Sequence, residues 1–126
     1  MTRKRTSEFE ADVARVARSC LASQARRLSR ALTRHYNDRL RPLGLNIAEM
    51  NLLVAVAATG PVQPAGLARA LDLEKSTLSR NLQRLADRGW VVVRDNPEDR
   101  GDLVEATRSG ERLLEQAIPL LSLIHI

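Results

Sequence analysis

In residues 74–90, EKSTLSRNLQRLADRGW, the hydrogen-bonding side chains Ser76, Arg80, Gln83, Arg84 and Asp87 recur on one side of what reads as a single helix. Their chemistry is recognition rather than bond-making. Arg80 and Arg84 stand one turn apart, and a guanidinium can donate two parallel hydrogen bonds to O6 and N7 of a guanine. The Gln83 carboxamide matches an adenine in the same bidentate way. Ser76 and Thr77 fall near the helix start, where hydroxyls and free backbone N–H groups suit phosphate. Asp87 shares the face and repels phosphate, so contact is expected to fade beyond Arg84. An isolated helix with this face would be an ordinary solvated surface. The neighbouring elements therefore decide what it does.

The opposite side of the same run is apolar. At 100° per residue, Leu78, Leu82 and Leu85 fall within about 60° of one another. Asp72 or Glu74 is placed to satisfy free N–H groups at the start, and Gly89 sits where a C-terminal cap belongs. Upstream, one long helical pattern without Gly or Pro runs from about Phe9 to Leu40, with Leu21, Ala25, Leu28, Leu32 and Tyr36 on its apolar side. RPLGL breaks it at Pro42 and Gly44. A second helix follows, with Asn46 and Glu49 spaced as a capping box and Ile47, Met50, Leu53, Val54 and Ala57 as its expected buried side. Pro64 opens a short third helix through about Ala70, with Leu67 and Leu71 inward. After Gly89, WVVVRD and LVEAT read as two strands around the turn NPEDRGD, and Thr107 caps a last helix carrying Leu113, Leu114, Ala117 and Ile118.

Composition agrees with a mainly α protein. The chain has 126 residues, 44% of them hydrophobic and only 2% aromatic, so its core is built from Leu, Ala and Val. The net charge is +5, which favours polyanionic partners. Its distribution is uneven: residues 1–41 hold 11 Lys/Arg against 4 Asp/Glu, whereas residues 63–108 hold 8 of each. No apolar run approaches membrane-spanning length, and MTRKRTSEFE has no apolar segment behind its charges, so a cytoplasmic location without membrane contact is expected. A Gly-rich phosphate loop, a metal-ligand cluster and a Ser-His-Asp or Cys-His set are all missing from the sequence. Neither an enzyme nor a bound cofactor or metal is expected.

The order of helix, helix, short helix, longer helix, hairpin and helix is that of a winged helix-turn-helix, whose second turn helix enters the major groove. At this point the residues resemble the MarR family of bacterial transcription regulators, over about residues 20–120. The resemblance is carried by GLNIAEMNLL, by GLARALDLEKSTLSRNLQRLADRGWV and by RDNPEDRGDLVEATRSGERLL. Leu67 and Ala68 match the opening of the helix-turn-helix, and Ser76, Thr77, Ser79 and Arg80 match the start of the recognition helix. Asp99 with Arg100 matches the wing, and Thr107 with Gly110 matches the start of the helix after it. The sequence departs from the pattern at Gly101, where the family places a wing arginine, so Arg100 is the candidate to take that role.

The resemblance implies an N-terminal dimerisation helix at 8–45 and a winged helix-turn-helix DNA-binding domain at 46–107. Within that domain, the recognition helix would lie at about 74–88 and the wing at about 90–107. A C-terminal dimerisation helix would begin at 108–120. It further implies double-stranded DNA as partner, a homodimer in the full-length protein, and a ligand-responsive repressor on a pseudo-palindromic operator. Arg94 and Arg100 become wing contacts to the backbone or minor groove. His35, Tyr36 and Met50 fall where the family builds a pocket for small aromatic or phenolic effectors. Cys20, near Arg15, Arg18 and Arg26, is a candidate redox thiol, against the simpler reading of a packed small side chain without a second cysteine to resolve it. Arg3, Lys4 and Arg5 are candidate phosphate contacts in a tail.

Two alternatives stay open at this point. One is a winged helix used for protein–protein contact with an acidic partner. The other is a fragment unable to dimerise or bind tightly, since the family continues past the point where this chain stops. The last six residues, LSLIHI at 121–126, can be the translation of CTG TCT CTT ATA CAC ATC, a transposase sequencing-adapter end. They are expected to be foreign to the natural protein.

Overall fold

A computed structural model describes residues 6–95, 98 and 101–121. Arg100, the Asn96-Pro97 turn, the basic residues 3–5 and residues 122–126 of the adapter reading lie outside the described residues. The chain forms two compact units, Met1–His35 and Tyr36–Ile126.

The first unit holds α1 (Ser7–Ser19) and most of α2 (Leu21–Leu40). The sequence predicts one continuous helix here; the structure divides it at Cys20, whose backbone is extended at φ −63°, ψ 115°. Neither Gly nor Pro causes the break. Ser19 Oγ donates to the Arg15 carbonyl, a bond that bends helices, and the Gln24 amide caps the Arg18 carbonyl at 3.2 Å. Thr6 starts α1 by accepting the Phe9 N–H. None of the described residues of this unit is buried, and Phe9, Val13, Val16, Leu21, Leu28 and Leu32 are exposed apolar side chains.

The second unit contains the core. After the last turn of α2 and a short 3-10 turn at Arg41–Leu43 come α3 (Ile47–Thr59), α4 (Pro64–Leu71), α5 (Lys75–Asp87), β1 (Val91–Asp95), β2 (Asp102–Ala106) and α6 (Arg108–Leu121). Asn46 and Glu49 form the expected capping box, which starts α3. The buried side of α3 differs from expectation: Leu52 and Val56 are buried beside Met50 and Leu53, whereas Val54 and Ala57 are exposed. This helix is apolar nearly all round, so periodicity alone cannot choose its face.

Asp72 does not open α5. It adopts φ 52° and closes α4, donating its N–H to the Ala68 and Arg69 carbonyls. Asp tolerates this left-handed conformation better than a bulkier residue would. Glu74 is left as the N-cap of α5, without a side-chain cap bond. At the other end Gly89 takes φ 77°, with Gly89 N–H to the Ala86 carbonyl at 3.0 Å and Trp90 N–H to the Leu85 carbonyl at 2.9 Å. That is a Schellman ending, and it turns the chain straight into β1.

β1 and β2 pair antiparallel, with Val91 opposite Ala106 and Asp95 opposite Asp102. Val62, between α3 and α4, adds a single bridge to β2 by exchanging both backbone bonds with Val104 at 3.0 and 2.8 Å. Leu40, Leu53, Val56, Leu85, Val104 and Ala117 are fully buried at the centre of the cluster. Each large member contributes roughly 1.5–3 kcal/mol of burial, so this cluster holds the hairpin and α5 against α3 and α6.

The Arg88 side chain joins two distant turns of this unit. Its guanidinium donates to the Gly44 carbonyl and lies over the Trp90 ring, 5.0 Å from the centroid. Arg88→Ala is expected to lower stability by about 1–2 kcal/mol, from the lost charged hydrogen bond and cation–π contact. Arg88→Lys should recover only part of that, because an ammonium lacks the planar face and fork. Urea unfolding midpoints of the two variants check the order.

Candidate nucleic-acid interface

α5 is a two-faced helix. Leu78, Leu82 and Leu85 are buried as the sequence predicts, and they fix the helix against α3, α4 and β1. Ser76, Ser79, Arg80, Gln83 and Arg84 are exposed on the other side, and Thr77 is half-buried. Arg80 and Arg84 have no ion-pair partner among the described residues, so their guanidinium donors are open to a ligand. Gln83 is less free than the sequence suggests: its amide nitrogen donates to Asp87 Oδ1 at 2.8 Å, one turn further on. The bidentate adenine contact therefore requires that bond to open. The same pair explains how Asp87 is accommodated on this face.

Two residues of this helix carry roles the sequence reading did not assign. Asn81 is buried on the core side, among the leucines. Lys75 is exposed at the first helical position and adds a cation beside Ser76. Its place directly after the N-cap was the available signal.

In the hairpin, Arg94 is exposed, and its Nε lies 3.3 Å from Glu105 Oε2 on the paired strand. The opposing carboxylate orients this guanidinium across the sheet and offsets its charge. Between α4, α5 and the hairpin lies an open cavity of about 700 Å³, with Leu78, Leu82, Val93 and Val104 as its apolar lining and Lys75, Ser76, Ser79, Gln83 and Asp102 supplying polar groups. The exposed α5 face thus borders a recess in the same unit.

The three residues suggested for an effector pocket do not line that cavity. Met50 is buried in the core, Tyr36 is half-buried and His35 is exposed. His35 belongs to the first compact unit and the other two to the second.

Cys20 is half-buried at the break between α1 and α2. Hydrogen bonds from the Ser23 backbone, the Ser23 side chain and the Ala22 backbone hold its thiol below the usual cysteine value. Alkylation by iodoacetamide should therefore reach half its maximal rate at a lower pH than for free cysteine. Ser23→Ala should move that midpoint upward. An unchanged midpoint would show that the hydroxyl contributes nothing.

Comparison with known proteins gives this geometry its context. A profile described as MarR family matches residues 43–100, from the turn before α3 into the hairpin. The HTH-type regulator YwoH of Bacillus subtilis is 28% identical over 96 residues, which cover 76% of this chain and 70% of that protein. The multiple antibiotic resistance protein MarR of Escherichia coli K12 is 34% identical over 86 residues, covering 68% of this chain and 60% of MarR. Among solved structures, a mutant E. coli MarR complexed with operator DNA superposes with a TM-score of 0.79 at 29% identity, over 85% of this chain and 77% of that one. The M. tuberculosis regulator MOSR in complex with DNA gives 0.77 at 29% identity, over 85% of this chain and 78% of that one. The residues that match the profile include the whole of α3, α4 and α5, the elements that present Ser76 to Arg84. With this fold, this helix order and these relatives, the chain belongs to the MarR family of DNA-binding transcriptional regulators.

Proposed function

We propose that this protein is a sequence-specific transcriptional regulator, and a repressor, that reads duplex DNA through the Ser76–Arg84 face of α5. The observation that carries this reading is the pair Arg80 and Arg84: exposed, without an ion-pair partner among the described residues, one turn apart, and held on a helix whose opposite side is locked into the core. Ser76, Thr77 and Ser79 supply phosphate contacts at the start of the helix, and Arg94 and Arg100 supply wing contacts. The E. coli and M. tuberculosis relatives solved with DNA support the same partner for this chain. Such a regulator acts where the chromosome is, in the cytoplasm, and performs no catalysis.

The protein acts as a homodimer on a pseudo-palindromic operator, so that two recognition helices enter successive major grooves. The exposed apolar side chains Phe9, Val13 and Val16 of α1 and Leu21, Leu28 and Leu32 of α2 support an association surface. A small aromatic or phenolic effector would release the operator by changing the spacing of the two reading helices.

The test is duplex selection. The chain is offered a random pool, and retained sequences are compared at low and physiological salt. Enrichment of a two-fold symmetric sequence, with affinity falling steeply as salt rises, supports the reading. An absence of enrichment at low salt would sink it and leave the winged helix as a protein-contact module. Sedimentation with and without the selected duplex tests the dimer.

A further inference from the structure

The winged helix does not account for a long stretch of charge of one sign. Residues 13–37 contain six arginines and no Asp or Glu. Four of them, Arg26, Arg27, Arg30 and Arg34, lie on α2 and are exposed, without an ion-pair partner among the described residues. At 100° per residue they occupy an arc of about 100°, and its centre lies opposite the arc of about 60° formed by Leu21, Ala25, Leu28 and Leu32. Ser23 falls inside the arginine arc, so a short hydroxyl stands between the guanidinium groups. The spacing Arg26, Arg30, Arg34 puts like charges at i, i+4 and i+8, an arrangement that destabilises an isolated helix. A carboxylate at any of the intervening positions would relieve it, and the sequence has none there.

We propose that this arginine face of α2 is a second duplex-binding surface, separate from the recognition helix, that holds phosphates without reading sequence. Three features favour nucleic-acid backbone as the partner. The surface is cationic, its bordering carboxylate Asp38 being paired with Arg41 at 2.6 Å, and DNA offers a dense row of negative charge, one per ~1.7 Å of helix axis. Guanidinium and hydroxyl groups are the side chains that contact phosphate. The arginines also point away from the leucines. A helix lying on a membrane seats its apolar stripe in the lipid and keeps its cations at the flanks of that stripe, so the two faces of α2 cannot serve one membrane surface together. Here the leucine side is left for protein association and the arginine side for the polyanion.

The proposal stands beside the recognition-helix reading, and the two fail separately. The measurement is fluorescence anisotropy of the full chain on a labelled duplex of random sequence and on the duplex selected above, over a salt series. Replacing Arg26, Arg27, Arg30 and Arg34 together by Gln is expected to weaken binding to both duplexes equally. It should reduce the slope of log K against log salt by about three to four units. Glutamine forms helix well, and circular dichroism checks that α2 persists. Replacing the same four by Lys should keep the slope.

An unchanged slope in the Gln set overturns the proposal. So does an equal loss in the Lys set, and so does an effect seen only on phosphatidylserine vesicles. Arg80→Ala/Arg84→Ala should lose preference for the selected duplex while keeping its binding to random sequence. If that variant loses all duplex binding and the Gln set loses none, the α2 surface fails and the recognition helix stands. If the Gln set alone loses binding and discrimination survives in Arg80→Ala/Arg84→Ala, the recognition-helix reading fails instead.

Discussion

Gly110→Ala is expected to destabilise the protein by about 3 kcal/mol or more, although the substitution adds a strong helix former to α6. A methyl group at Gly110 would sit 2.2 Å from the Trp90 carbonyl oxygen and 3.3 Å from Leu53 Cδ1. The Trp90 carbonyl has no room to retreat, because it accepts the Thr107 N–H at 3.0 Å. Thr107 is fixed in turn: its hydroxyl donates to the Gly89 carbonyl at 2.6 Å and accepts the Gly110 N–H at 3.1 Å. The start of α6 is thus locked onto the turn that ends α5. Helix propensity alone would make alanine better than glycine by about 1 kcal/mol. Overpacking against backbone works against it and costs typically 1–3 kcal/mol, more where nothing can give. The sign of the change decides between the two, and a single-domain protein has only about 5–15 kcal/mol to lose. Urea unfolding followed by circular dichroism measures it. A stabilised Gly110→Ala would mean that α6 and the turn do not approach this closely.

That contact also shows what was and was not legible in the sequence. Thr107 and Gly110 stand out as a Thr-x-x-Gly start, and Thr107 caps the helix as expected. What makes glycine necessary is a carbonyl twenty residues upstream, and residue spacing carries no trace of it. α5 was readable because its leucines occupy one narrow stripe against a polar remainder. α3 was not, because apolar residues surround it and only its neighbours select Leu52 and Val56. The break at Cys20 lacks the usual Gly or Pro and depends on side-chain bonds from Ser19 and Gln24. Val62 pairs with Val104 as a single rung, too short for any alternating pattern to reveal. Arg88 reaches Gly44 across 44 residues of sequence, a contact only the fold creates. In the candidate site, the exposed arginines were visible from helical phase. The bond between Gln83 and Asp87 was visible in principle from its i, i+4 spacing, and it alters what Gln83 can do.

Arg80→Ala and Arg84→Ala should each weaken binding to the selected duplex by about 1–3 kcal/mol and relax preference at one base pair per half-site. Both side chains are exposed and make no ion pair among the described residues, so neither substitution removes a support of the fold. Stability should stay within about 0.5 kcal/mol of the parent, which separates lost binding from unfolding. Gln83→Ala should cost less, since its amide nitrogen is already given to Asp87. Asp87→Ala acts in the opposite direction: it removes a negative charge facing phosphate, so affinity should rise on all duplexes, and it frees the Gln83 amide, so the rise should be largest where Gln83 meets an adenine. Ser76→Ala should lower affinity evenly, as expected of a phosphate contact. The measurement is a matrix of these variants against duplexes that each carry one base-pair change. An arginine that reads a base loses its penalty for the changed pair when it is replaced by alanine. An arginine that only holds phosphate leaves every penalty intact. If both arginine rows of the matrix show the second pattern, α5 binds DNA without reading it, and specificity must come from the hairpin or from the shape of the duplex.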